Sequence, residues 1–104
     1  MRKANVYMHG EKAGMLVEEA IRERYRFVYD DQYKGPPISV TMPVIQREFE
    51  YDRFPPFFEG LLPEGVNLEM LLRTKKIDRG DAFAQLMIVG GDTVGAVTIR
   101  EASA

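Results

Sequence analysis

Few residues in this chain could do chemistry. Cysteine is absent and His9 is the only histidine. That excludes a thiol nucleophile, a thiolate-bound zinc or iron–sulfur cluster, a disulfide framework and a multi-histidine metal site. The neighbouring acids Asp30 and Asp31, and the run Asp78-Arg79-Gly80-Asp81, offer the oxygens a hard cation would use. Such an ion takes about six oxygen ligands, and the flanking sequence supplies few, so turn and helix-capping roles are expected instead. Gly90-Gly91-Asp92-Thr93-Val94-Gly95 has the glycine density of a phosphate cradle. It lacks the Gly-Lys-Ser/Thr ending, and its acid would repel phosphate, so it is expected to end a helix and turn into a strand. His9, beside Gly10, has no visible partner for general-base work. Ser39 lacks the glycines of a nucleophile elbow, and Ser103 falls in a tail expected to fray. No nucleophile, base and orienting group can be assembled, so the expectation is a non-enzyme with no catalytic residue, no metal and no cofactor.

The 104 residues, 45% hydrophobic and 29% charged, are enough for one core and too few for two. One soluble domain over residues 1–104 is expected. Fourteen basic against sixteen acidic side chains give a net charge of −2, so no overall basic field draws the chain to nucleic acid. Arg22, Arg24 and Arg26 alternate with Glu23 and aromatic residues, which suits a solvated sheet face better than a basic stripe. The opening residues carry no signal-peptide pattern, and no apolar run approaches the roughly 20 residues of a membrane helix. Neither direct nucleic-acid binding nor membrane association is expected, and the location is expected to be cytoplasmic.

The densest unusual segment is Phe54-Pro55-Pro56-Phe57-Phe58-Glu59-Gly60-Leu61-Leu62-Pro63-Glu64-Gly65-Val66. It holds more apolar weight than a short helix can bury on one side. Phe57 and Phe58 are expected to anchor the helical half on the sheet, and Glu64, Gly65 and Val66 to stay at the surface, where a partner could use them.

The elements that position this segment follow from periodicity. Ala4, Val6 and Met8 alternate with Lys3, Asn5 and Tyr7 as in a half-buried strand, and His9-Gly10-Glu11-Lys12 reads as a tight turn. A second strand passes through Met15, Leu16 and Val17, and a third carries Tyr25, Phe27 and Tyr29 on one face. Ile38, Val40 and Met42 predict another strand, stopped by Pro43, and Glu48–Tyr51 a short edge strand. The period then changes. Pro56 opens a short helix to about Leu61, and Pro63 a longer one with Leu68, Leu71 and Leu72 as its stripe. Asp78 or Asp81 caps a further helix carrying Phe83, Leu86 and Met87, which Gly90 ends, before a last strand with Val97 and Ile99. The predicted class is α+β: a mostly antiparallel sheet with two or three short helices in the second half.

The run FPPFFEGLLPEG, a Leu-rich helix after it, and DAFAQLMIVGGDTVGAVTI resemble the amino-terminal subdomain of the HipA-type serine/threonine kinase toxins. NVYMHGEKAGML looks like its first hairpin and PISVTMP like its PxSxxxP strand, so the resemblance runs from about Lys3 to Ile99. The segments that carry catalysis in such kinases lie beyond this subdomain and are not among these residues. The chain is therefore similar to the separately encoded form of the subdomain, the HipS antitoxins of tripartite HipBST toxin–antitoxin systems. The resemblance implies two partners: a HipT-like kinase toxin, which in that family acts on a tryptophanyl-tRNA synthetase, and a HipB-like helix-turn-helix protein in the same complex. It implies an antitoxin that binds and neutralises the kinase, the alternative being a module that helps position the kinase or its protein substrate. The implied partner-binding set is Phe57, Phe58, Leu61, Leu62, Glu64, Gly65 and Val66, with Phe57, Phe58 and Leu61 holding the turn rigid and Glu64 and Val66 reaching outward. Family members often carry a large aromatic just after LLPEG; here that position is Val66.

Overall fold

The computed structural model describes residues 1–93 and 95–102. Val94 of the glycine-rich loop and Ser103 lie outside them. The chain begins with β1 (Arg2–Met8) and β2 (Glu11–Ala20), then β3 (Arg24–Tyr29) and β4 (Glu48–Tyr51). The helices follow: α1 (Pro56–Glu59), α2 (Gly65–Lys75) and α3 (Ala82–Val89), before β5 (Val97–Glu101). Among the described residues the strands form one five-stranded sheet in the order β4-β3-β2-β1-β5, with every neighbouring pair antiparallel. The predicted α+β class and its late helices are both present.

Alternation sorts the side chains. Ala4, Leu16, Phe27 and Phe49 stand opposite one another across four strands, and all four are buried in the core. Val6 and Ile99 continue that face toward the β5 edge. The tight β1–β2 turn has positive φ at His9 (50°) and Gly10 (83°), the conformation a two-residue hairpin needs. On β2, Gly14 is required by close approach: a Cβ there would lie 2.3 Å from the Val28 carbonyl oxygen and 2.9 Å from the Phe27 ring.

Three expectations change. Ile38–Met42 is not a strand; Ile38 and Met42 are buried, but Val40 is 96% exposed. The cause is the buried Tyr29 hydroxyl. It accepts from the Ile38 N–H (3.0 Å) and donates to the Met42 carbonyl (2.5 Å). The segment is thus folded into a loop, and Pro36, Pro37 and Pro43 withhold the N–H groups a ladder would use. The longer helix starts at Gly65 rather than Pro63, with Glu64 as an extended N-cap. Arg22 sits in the β2–β3 turn at φ 59°, so only Arg24 and Arg26 of the three arginines lie on a strand.

One polar cluster lies on the core face. Glu18 is 2% exposed, and Arg2, its cross-strand neighbour, meets it with two hydrogen bonds of 2.7 and 2.8 Å. The Tyr25 hydroxyl (3.3 Å) and the Arg22 N–H (3.1 Å) also donate to Glu18. Arg2 further bonds Asp81 at 3.1 Å and lies 5.0 Å above the Phe83 ring. Burial pushes the Glu18 carboxyl up, but these donors together hold it below its ordinary value of 4.5. Burial also raises Asp81, and Arg2 and the Ala84 N–H outweigh it, so Asp81 too is held below its ordinary 3.8. Burial and the adjacent Glu18 charge push the Tyr25 hydroxyl up to about 12.

Both carboxylates are more acidic folded than unfolded. Their contribution to stability is therefore complete above the unfolded values and fades as pH falls through the folded ones. The melting temperature is expected to stay level at neutral pH and drop below about pH 4. Glu18→Gln should cost about 2 kcal/mol, below the 3–5 of a fully buried broken pair because Arg2 keeps Asp81. It should also flatten the acid limb. A pH series of thermal melts on both proteins checks this, and an unchanged acid limb in the variant would contradict it.

Candidate partner-binding surface

The segment from Phe54 to Ile77 is built as an anchor, a turn and an arm. Pro55 is buried and Pro56 opens α1, where its missing N–H costs nothing. Phe58 is fully buried 5.8 Å from Phe27 and 5.2 Å from Phe57, and Phe54 meets Tyr25 edge-on at 5.3 Å. The Leu61 and Leu62 N–H groups bond the Phe58 and Glu59 carbonyls at 3.1 Å each, extending α1 by a turn. Both leucines are half-buried against the core with Phe57.

Beyond Pro63 the chain leaves the core. Glu64, Gly65 and Val66 are exposed, Val66 by 75%. Gly65 takes φ 58°, which joins the extended Glu64 (φ −128°, ψ 163°) to α2. The helix carries Val66, Leu68, Met70, Leu71 and Leu72, yet none of its residues is buried, and Met70 is 59% exposed. Helices shorter than about 12–15 residues are marginal in water unless a face is packed. With eleven residues, α2 has only the half-buried Leu68, Leu71 and Leu72 to supply such packing.

What orders α2 sits at its ends. Lys76 turns left-handed (φ 56°), and the Ile77 N–H bonds the Leu72 carbonyl at 3.1 Å. Asp78 accepts from the Gly80 N–H (2.8 Å), and the buried Gln85 amide donates to the Asp78 and Arg79 carbonyls (3.3 and 3.0 Å). Arg22 pairs with Asp78 at 3.4 Å, and Arg79 pairs with Glu69 on α2 itself. Asp81 caps α3 through the Ala84 N–H (3.1 Å), as expected of it. Gly90 sits at the end of α3 and leads into a 3-10 turn over Gly90–Asp92. No side chain is tolerated there, since a Cβ would lie 2.7 Å from the Ile99 Cβ.

The seven residues predicted for partner contact therefore divide by position. Phe58 is inside the core, Phe57, Leu61 and Leu62 are half-buried beneath the turn, and Glu64, Gly65 and Val66 are at the surface. Met70, one helical turn beyond Val66 and on the side of α2 away from the half-buried Leu68, Leu71 and Leu72, is exposed as well, a residue that the sequence reading does not single out. The acids at Asp30–Asp31 are remote in role: Asp30 pairs with Lys12 at 3.4 Å beside the first hairpin.

Residues 4–100 match the family described as HipA N-terminal domain. The chain belongs to that family. An uncharacterized protein of Haemophilus influenzae is 34% identical over 101 residues, covering 97% of this chain and 93% of that protein. The serine/threonine-protein kinase toxin HipA of Shewanella oneidensis is 31% identical over 86 residues, 81% of this chain but 20% of the kinase. A solved structure described as the N-terminal domain of HipA toxin superposes with a TM-score of 0.74 at 30% identity, covering 99% of this chain and 94% of that one. A chain of the Shewanella oneidensis HipA, HipB and operator DNA complex shares the fold with a TM-score of 0.75, covering 97% of this chain and 24% of that one at 24% identity. The HipA N-terminal fold thus occurs both at this length and as a small part of a kinase chain. Among the described residues no helix is long and apolar enough to cross a membrane.

In the HipA N-terminal fold seen here, α2 hangs from its two ends. Its amides are expected to exchange with deuterium far faster than those of β1–β3, a difference that mass-spectrometric exchange measures. Gly65→Ala should cost about 1 kcal/mol, because an L-residue at that positive φ is strained. A denaturant titration checks the cost, and no loss would mean the turn relaxes without it.

Proposed function

We propose that this chain is a non-catalytic, cytoplasmic antitoxin that binds and neutralises a HipT-type serine/threonine kinase, as the HipS member of a HipBST-type system with a HipB-like helix-turn-helix protein in the same complex. One observation carries the reading. The turn at Glu64–Val66 and the outer face of α2 expose Val66 and Met70, and the helix's leucines Leu68, Leu71 and Leu72 are only half-buried. A helix in that state gains its missing burial from a partner, by the helix-in-groove mode of recognition. Membership of a family found within kinase toxins supports the choice of partner. Phe58, Phe57, Leu61 and Leu62 act from beneath by fixing where the turn emerges, and Glu64, Val66 and Met70 touch the partner.

A second reading, a module that assists the kinase by positioning it or its protein substrate, draws on the same domain being one fifth of a kinase chain. Co-expression with a HipT-type kinase separates the two, since an antitoxin restores growth and an assisting module deepens toxicity.

At the residue level, Val66→Asp and Met70→Asp are expected to leave the melting temperature within a few degrees, because both side chains are exposed. Each should weaken kinase binding by about tenfold or more, equivalent to about 1.4 kcal/mol. Calorimetric titration with the kinase and a growth assay read the two effects. Neutralisation by both variants equal to wild type would remove α2 and its turn from the inhibitory surface.

A further inference from the structure

The stretch Gly35–Gln46, GPPISVTMPVIQ, contains no charged side chain in a chain that is 29% charged. It holds Val40 and Ile45, the most exposed large aliphatic side chains after which Met1 and Ile21 rank, at 96% and 91%. The loop beneath them is firmly built. Ile38 and Met42 are buried and tied to the Tyr29 hydroxyl. The Tyr33 hydroxyl donates to the Pro36 carbonyl (2.5 Å), and the Tyr33 ring stacks on Tyr29 at 5.8 Å. Arg47 donates to the Asp30 and Tyr33 carbonyls at 2.9 and 3.2 Å, closing the loop at its base. Ser39 and Thr41 bond each other at 2.9 Å. None of these bonds needs an aliphatic side chain at Val40 or Ile45, and the fold gains nothing from leaving both in water.

We propose that Val40 and Ile45 form a second docking point, seated in an uncharged apolar recess of the same kinase that receives the turn and α2. This rests on the function proposed above. The size of the patch argues for that occupant over a second copy of this chain. Two aliphatic side chains offer at most a few hundred Å², whereas a stable complex buries about 800 Å² on each partner. The patch is therefore one part of a larger interface. Val44 of this loop packs on the same core cluster as Leu61 and Leu62 of the turn. Loop and turn accordingly pack on the same face of the sheet. The lack of charge defines the recess, because a charged group buried against this loop would find no partner. It also disfavours nucleic acid, whose binding begins with phosphate neutralisation. Because the loop is ordered by its own hydrogen bonds, docking costs little additional ordering entropy.

The test is calorimetric titration of a HipT-type kinase with the full chain and with the double variant Val40→Ser/Ile45→Ser, alongside sedimentation equilibrium of the chain alone. The expected result is a Kd about tenfold weaker, a faster dissociation rate and an unchanged melting temperature. Should the double variant melt early, Val40→Thr and Ile45→Thr, which keep the branched shape and add a hydroxyl, give the reading. If wild type binds the kinase and the variants match it within twofold, the second docking point is wrong while the antitoxin reading stands. If wild type does not bind the kinase, both fall together. Self-association of the chain that the double variant abolishes would assign the patch to a second copy and overturn the proposal.

Discussion

The contact on which the rest depends is the Arg2 guanidinium between Glu18 and Asp81. It joins the first strand to the second and both to the cap of α3. A buried glutamate on the core face would be untenable alone, yet here its oxygens meet Arg2, the Arg22 N–H and the Tyr25 hydroxyl. With Asp81 fixed, Phe83 and Leu86 enter the core, and Gly90 comes against Ile99 on β5. The same cluster sets the corner at which α2 must end, because Asp78 and Asp81 both lie within reach of Arg22. An ionic contact at one end of the sheet thus determines how a helix that lacks its own core is presented.

The two helical regions then do different work. α1 is only four residues long, but Phe58 beneath it is in the aromatic group around Phe27, and Phe27 meets Tyr29 edge-on at 4.8 Å. Aromatic pairs of that geometry add to the burial they already provide, so the start of the turn is held by the aromatic core. α2 is the reverse, well formed but without a buried residue. A rigid base carrying a half-packed arm is a costly arrangement for stability alone and a useful one for contact.

Much of this was legible in the sequence for a simple reason. Period-two alternation on β1 and β3 and the Asp81 cap report the environment of each side chain directly, and the structure follows them. The segment Ile38–Met42 shows where such reasoning stops. Its alternation is as clean as that of β3, but the Tyr29 hydroxyl, distant in sequence, takes the backbone groups that a ladder would use. Periodicity cannot see that competitor, and Val40 consequently does not share a strand face with Ile38 and Met42 but lies at the surface. For the start of α2, Pro63 and Gly65 are both credible openings in the sequence, and only the backbone angle at Gly65 decides between them. On α2 the Leu68, Leu71 and Leu72 stripe points to the less exposed side as its spacing predicts, but it is only half-buried, because burial depends on how closely the helix packs and periodicity reports direction alone.

Val66 has to be weighed against the large aromatic that the family resemblance implies for this position. A valine buries far less area than the aromatic side chains that dominate interface hot spots. On the proposed reading its contribution is made up along the helix. Met70 follows at i+4 and Arg73 at i+7, so Val66, Met70 and Arg73 form one stripe on α2. Methionine adapts its shape to an irregular recess, and arginine can bury its stem while its guanidinium finds a carboxylate. Replacing one deep anchor with several shallower contacts would spread binding over a wider area, which the additional contact proposed at the Val40 and Ile45 loop would extend. The small residue at Val66 and the uncovered aliphatics elsewhere are, on this argument, two consequences of one way of binding.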